Sequence, residues 1–252
     1  MRDFSKIKYF IYCSGKTGSK TLHHGFSKKF GGNSCLHIHS QRQINIVRNE
    51  NIDIKNVILE SSKKNDKVFI IDSFREPFER SISSFFENLH KTNPNFKSYK
   101  LEQLINLYNT IHLKNIELYH SYLESWRMFD LSTEFEFDFD KGFVVKNIDN
   151  IFFIKTRLKD SHKWKTIFNE VMNEEIDFQT KNDFSSKNYL SQYISFKSKY
   201  ILPKDVKEIF RKFYTQEYST EENSVFYQTW QEMKKLMTED EIKNYLNKWG
   251  II

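Results

Sequence analysis

Alanine is missing from the 252 residues altogether, and glycine (7), proline (3) and cysteine (2) are scarce. Glycine and proline together make up about 4% of the chain, which excludes a collagen-like or Pro-rich protein and leaves no flexible interdomain linker. Two cysteines, Cys13 and Cys35, do not make a disulfide framework. Long apolar runs are also missing. The longest, Tyr9 to Cys13, has five residues, where a membrane helix needs about 20, so no transmembrane segment is expected. The first twelve residues alternate into a strand and carry no signal-peptide pattern. The expectation is a cytoplasmic protein whose mature chain starts near Met1. No internal repeat or low-complexity segment breaks the chain. Absent alanine beside abundant Ile, Lys, Asn and Phe reads as codon bias rather than function.

What is present defines a globular chain. Aromatic residues reach 16%, with 24 Phe and 13 Tyr, far too many for a disordered segment. The length suffices to bury a core without a structural metal, and residues 1–252 read as one domain. Basic residues outnumber acidic ones by 39 to 33, a net charge of +6. That balance favours an anionic partner such as a nucleotide, phosphate, sulfate or acidic glycan. It is too modest and too dispersed to imply nucleic acid.

The order of elements predicts an α/β fold. Ile7 to Cys13 reads as a buried strand, followed by a polar Gly-rich turn and a helix over Thr21 to Phe30 that stops at Gly31-Gly32. Cys35 to Ser40 is a second strand, Ile44 to Ser61 a helix with its connection, and Lys67 to Asp72 a third strand. Phe78 to Leu89 is a helix opened by Pro77. Helical spacing continues through Leu101, Leu104, Ile105, Tyr108 and Ile111, then through Ile116, Tyr119, Tyr122, Leu123, Trp126 and Phe129. Phe135 to Phe139 alternates with acidic residues ahead of Lys141-Gly142, which suggests a hairpin. Ile151 to Lys155 is a further strand. Asp160 and Pro203 open later helices, and Thr238 to Glu241 has the capping-box pattern. The expectation is a doubly wound parallel sheet flanked by helices, with a helical C-terminal portion.

Strand, then Ser14-Gly15-Lys16-Thr17-Gly18-Ser19-Lys20-Thr21, then helix is an anion cradle. Glycines let backbone N–H groups turn inward, and the helix N-terminus adds a positive dipole end. Lys16 brings a mobile charge; Thr17, Ser19 and Thr21 bring hydroxyls. An ordinary Gly/Ser turn is the alternative. The spacing is not that of a Walker A loop, because the required first glycine would fall on Phe10 in one register, and the glycine before the lysine on Ser19 in the other. The loop is short and suits a single phosphate or phosphosulfate. A second basic site follows the third strand. Arg75 stands at the strand's C-terminal end, where ligands bind in open α/β sheets, and Ser83 lies eight residues on, about two helical turns. An Arg fork and a hydroxyl can hold a phosphate monoester. Pairing of Arg75 with Glu76 or Glu79 is the competing reading.

Together the two segments resemble those of the PAPS-dependent sulfotransferases. Lys16-Thr17-Gly18-Ser19-Lys20-Thr21 is similar to that family's loop for the 5′-phosphosulfate. Arg75-Glu76-Pro77 with Arg80 and Ser83 is similar to its segment for the 3′-phosphate, spacing included. The likeness covers about twenty residues directly and the strand order of roughly the first 90. Gly15 stands where the family often has proline, and Lys20 where it usually has a small or hydroxyl residue. The resemblance implies a P-loop-like sheet, 3′-phosphoadenylyl sulfate (PAPS) as co-substrate, no metal, and a carbohydrate or other hydroxyl acceptor. It also implies that Lys16 stabilises the leaving phosphate oxygen, while Arg75 and Ser83 bind the 3′-phosphate.

In-line transfer to a hydroxyl also needs a base. His37 and His39 share one face of the second strand near its C-terminal end, and histidine is the side chain suited to take a proton near neutral pH. The pair resembles the H-x-H of uronyl 2-O-sulfotransferases, which makes His39 the base and His37 its neighbour. Two strand histidines satisfied by packing remain the alternative. Cys35, His37 and His39 share a face as a zinc site would, but no fourth ligand is recognisable. His23 and His24 lie on the first helix, where a solvated face is the plainer reading; Trp126 and Tyr122 could stack on a sugar, with a core stripe the safer reading; and Lys187, Lys197 and Lys199 could close over the 3′-phosphate, though most such lysines are simply solvated. Val68 to Asp72, a strand ending in an aspartate, would suit an ATP-dependent small-molecule kinase. A non-catalytic nucleotide- or glycan-binding relative is the third class.

Overall fold

The computed structural model describes residues 4–41, 52–113, 123–132, 135–179, 187–215 and 225–252. In chain order these form β1 (Tyr9–Tyr12), α1 (Ser19–Phe30), β2 (Cys35–Ile38), α2 (Ile54–Ser62), β3 (Val68–Phe74) and α3 (Pro77–Thr92). Next come α4 (Leu101–Leu107), which runs into a π-helical turn at Tyr108–Leu113, and the short α5 (Glu124–Arg127). Then follow β4 (Phe143–Ile148), β5 (Ile151–Arg157), α6 (Trp164–Met172), α7 (Leu190–Lys199), α8 (Lys204–Thr215), α9 (Val225–Leu236) and α10 (Glu239–Lys248). The elements divide between two compact units, Met1–Arg75 with Tyr122–Asn182, and Glu76–Ser121 with Asp183–Ile252.

The first unit holds the five-stranded sheet, in the order β2-β1-β3-β5-β4. β1 pairs in parallel with β2 and β3, and β3 with β5; β4 runs antiparallel to β5 at the edge. The sheet is therefore mixed rather than wholly parallel. β1 is buried at every position because helices cover both faces of the sheet. On one face Tyr9, Ile11, Cys13, Cys35, Phe69, Ile71 and Ile154 pack with Leu22 and Phe26 of α1 and with Trp164, Ile167 and Phe168 of α6. On the other, Phe153 meets Phe129 and Trp126, with ring centroids 5.0 and 6.0 Å apart. Trp126 is fully buried there, so it is a core side chain rather than a sugar platform.

The turn expected at Lys141-Gly142 forms, but with a single antiparallel bridge, and the longer hairpin lies later. Asp138 and Phe143 make a single bridge, and Gly142 (φ 84°) returns its N–H to the Asp138 carbonyl. The strand pairing is between β4 and β5, turned at Asp149 (φ 50°). Phe135 and Phe137 are buried, and the Arg157 guanidinium lies over Phe137 and Phe139, 4.9 and 5.3 Å from the ring centres. Packing against the core thus replaces strand pairing there. The predicted helix from residue 44 is described only from Ile54, where the Asp53 side chain caps it; residues 42–51 lie outside the described ones. So do Ile116, Tyr119 and Tyr122.

Every described regular element of the second unit is a helix. Pro77 opens α3, as expected. Its Phe78 stacks on Tyr245 at 5.6 Å, and Phe86 meets Tyr193 and Phe196 edge-on. The aromatic abundance therefore builds much of this helical core. Thr238 and Glu241 close the expected capping box on α10.

Candidate anion-binding and transfer site

In the first unit the loop read as an anion cradle begins where β1 ends. Thr17 is fully buried and donates its hydroxyl proton to the Ser14 carbonyl at 2.7 Å, which closes the loop into a tight turn. Thr17 therefore shapes the loop instead of donating to a ligand. Lys16 sits at φ 70°, a left-handed conformation that non-glycine residues rarely adopt outside such turns. Gly18 (φ 90°) caps α1 without a side-chain acceptor, which leaves the first amide groups of that helix facing the loop. Gly18 also has no room for a larger residue: a Cβ there would lie 2.7 Å from Trp164 and 2.8 Å from Leu158. Gly15, Ser19, Lys20 and Thr21 complete the turn and first helical positions, with Ser19 buried and Lys20 exposed.

Arg75 reaches this loop. Its Nη1 donates to the Lys16 carbonyl at 3.2 Å. The leading residues of the two basic segments, far apart in sequence, thus meet at the C-terminal edge of β1 and β3. Ser83 belongs to the second unit, where it lies on α3 at 1% exposure with no hydrogen-bond partner for its hydroxyl among the described residues.

The histidines gather at the start of the same loop. His39 Nδ1 lies 2.7 Å from the carbonyl of Cys13, the residue before Ser14. A carbonyl only accepts, so Nδ1 carries the proton and Nε2 is left with the lone pair. His37 packs edge-to-face on His39, centroids 4.6 Å apart, and stacks on His23 of α1 at 5.2 Å. Burial, reinforced by the charges of His39, His23 and Lys20, pushes the His37 pKa down to about 3. A group that stays neutral through the physiological range can pack beside a base but is a poor base itself. Among the described residues no three His, Cys, Asp or Glu side chains converge as a metal site.

Asp72, the carboxylate a kinase would use, is occupied. Lys155 Nζ lies 2.5 Å from Oδ2 with both side chains buried, and the Ser73 N–H donates to Oδ1 at 2.7 Å. Nearby, burial pushes the Cys13 thiol well up, and its Sγ meets the Ile71 carbonyl at 3.5 Å. Neither the Asp72–Lys155 pair nor the Cys13–His39 bond follows from a motif. The only hint of the first is one charged residue in each of two apolar strand runs.

In the second unit Lys187 and Lys197, two of the three late lysines, are engaged by carboxylates. Lys197 and Lys248 both contact Glu79, at 2.8 and 2.9 Å, and Lys187 lies 3.6 Å from Glu87. Burial alone would raise the Glu79 pKa; the two lysines outweigh it and hold the carboxyl below its usual range. No family model, curated protein or solved structure matches the chain. No helix among the described residues is long and apolar enough to cross a membrane.

Proposed function

We propose that the chain is a sulfotransferase that moves the sulfuryl group of PAPS to a hydroxyl of a carbohydrate acceptor. The observation that carries this reading is the Arg75–Lys16 contact at 3.2 Å, which sets an arginine fork beside a strand-loop-helix cradle. The loop amides and Lys16 hold the 5′-phosphosulfate. Arg75 takes the 3′-phosphate. His39 Nε2 removes the acceptor proton as the acceptor oxygen bonds to sulfur and the bond from sulfur to the 5′-phosphate oxygen breaks. Lys16 balances the charge that collects on that departing oxygen. The products are the sulfate ester and 3′-phosphoadenosine 5′-phosphate, with the proton on His39. Cytoplasmic action on a surface-polysaccharide precursor fits this chemistry.

The Asp72–Lys155 pair weighs against the kinase alternative, because a carboxylate bound to a buried ammonium is not open to Mg²⁺. A thermal-shift comparison tests the reading. 3′-Phosphoadenosine 5′-phosphate is expected to stabilise the protein without Mg²⁺, and ATP is not. Stabilisation by Mg-ATP alone would overturn the reading in favour of a kinase. Nucleotide binding with no transfer of labelled sulfate to any hydroxyl acceptor would leave a binding protein.

A further inference from the structure

The second unit carries a cavity of about 270 Å³ between α4 and α7, lined by Tyr99, Leu101, Leu104, Ser191, Gln192 and Ser195. We propose that this cavity binds one neutral pyranose ring. The volume falls just below the range of drug-sized sites and suits a single ring. None of the six lining side chains is charged. Leu101 and the Tyr99 ring, over the buried Leu104, supply apolar contact for the C–H face of a sugar.

Three of the polar groups of the lining are only half used. Tyr99 Oη accepts from Asn93 Nδ2 at 2.6 Å, which leaves its own proton to donate. Ser191 Oγ donates to Gln192 Oε1 at 2.9 Å and keeps its lone pairs. Gln192 Nε2 gives one proton to the Lys97 carbonyl at 3.2 Å and has a second to offer. Ser195 and Ser191 stand one helical turn apart on α7, on the same side. A purely apolar ligand would cover these donors and acceptors without satisfying them, which is costly. A polyhydroxylated ring with an apolar face meets both requirements. The assignment does not rest on the sulfuryl-transfer reading.

Saturation-transfer difference NMR on the full chain tests it, with the methyl β-glycosides of glucose, galactose and N-acetylglucosamine as probes. Glucuronic acid and cyclohexanol serve as charged and apolar comparators. At least one neutral glycoside is expected to take up saturation at its ring protons above both comparators. Ser195→Trp fills the cavity and abolishes the signal. Tyr99→Phe removes one hydroxyl and weakens binding about 2- to 10-fold. The idea is overturned if no neutral glycoside responds, if a comparator responds more strongly, or if both variants keep the full signal. A thermal shift with 3′-phosphoadenosine 5′-phosphate on the same samples reads the loop separately. Its failure would remove the transferase reading and leave the sugar result standing.

Discussion

His37 meets His39 edge-to-face, 4.6 Å between ring centres, and the contact joins a ring held neutral to one whose Nδ1 is turned to the Cys13 carbonyl. Burial keeps the folded His37 pKa near 3, against about 6.5 in the unfolded chain. Between those values the unfolded state binds the proton and the folded state does not. Stability therefore falls as the solution is acidified from about pH 6.5 towards 3. Wild-type protein is expected to lose about 1–2 kcal/mol more than His37→Gln between pH 7 and pH 5. Chemical denaturation at the two pH values measures the difference. Equal losses would mean that His37 is not buried as a neutral ring.

His39→Ala removes the nitrogen assigned to the acceptor proton. Turnover is expected to drop about 10²–10⁴-fold, the usual contribution of a positioned base. Binding of 3′-phosphoadenosine 5′-phosphate is expected to stay at the wild-type level, because the bond goes to Cys13, which precedes the loop. Full activity in the variant would transfer the base role to another group.

Arg75→Ala removes both the fork assigned to the 3′-phosphate and the donor to the Lys16 carbonyl. Nucleotide affinity is expected to weaken by about 1.5–3 kcal/mol, the range for a hydrogen bond to a charged group. Adenosine 5′-phosphosulfate, which lacks the 3′-phosphate, supplies the control and is expected to lose less. Calorimetry on both ligands decides. Equal losses would limit Arg75 to shaping the loop.

The expected β1-loop-α1 unit and the paired basic segments were legible because they are local. A five-residue apolar run, two glycines and a helix start all fall within about twenty residues. Pro77 and the Thr238–Glu241 capping box were legible for the same reason. β4 was not, since Phe143–Ile148 carries Lys146 and Asn147 and owes its strand state to pairing with β5 at the sheet edge. The contacts that define the site are long-range. Nothing in the spacing links Cys13 to His39, 26 residues away, or Arg75 to Lys16, 59 residues away. The lysines at 187 and 197 looked available for a phosphate because their partners, Glu87 and Glu79, lie about a hundred residues back.

Gly18→Ala tests how tightly the loop is built. A Cβ at Gly18 would collide with Trp164 and Leu158, and the left-handed φ of 90° would be strained for any side chain. Overpacking and backbone strain together are expected to cost about 2–4 kcal/mol. Nucleotide binding is expected to fall with it, because Trp164 is buried and cannot retreat. A thermal midpoint within a degree or two of wild type would show that the loop has slack.

Lys155→Met isolates the buried pair. Lys155 is fully buried and Asp72 2% exposed, so removing the ammonium strands a carboxylate in the sheet. Breaking such a pair from one side is expected to destabilise by about 3–5 kcal/mol. In the double variant Asp72→Asn with Lys155→Met no charge is left behind, and the Asn oxygen can still accept from the Ser73 N–H. Most of the loss is therefore expected to return, since an ion pair in the interior gains little over neutral groups of similar size. Guanidinium denaturation of the two variants and the wild type gives the three numbers needed. A single variant that loses less than about 1 kcal/mol would mean that water reaches Asp72. Asp72 would then be open to a cation, and the kinase reading would regain its metal ligand.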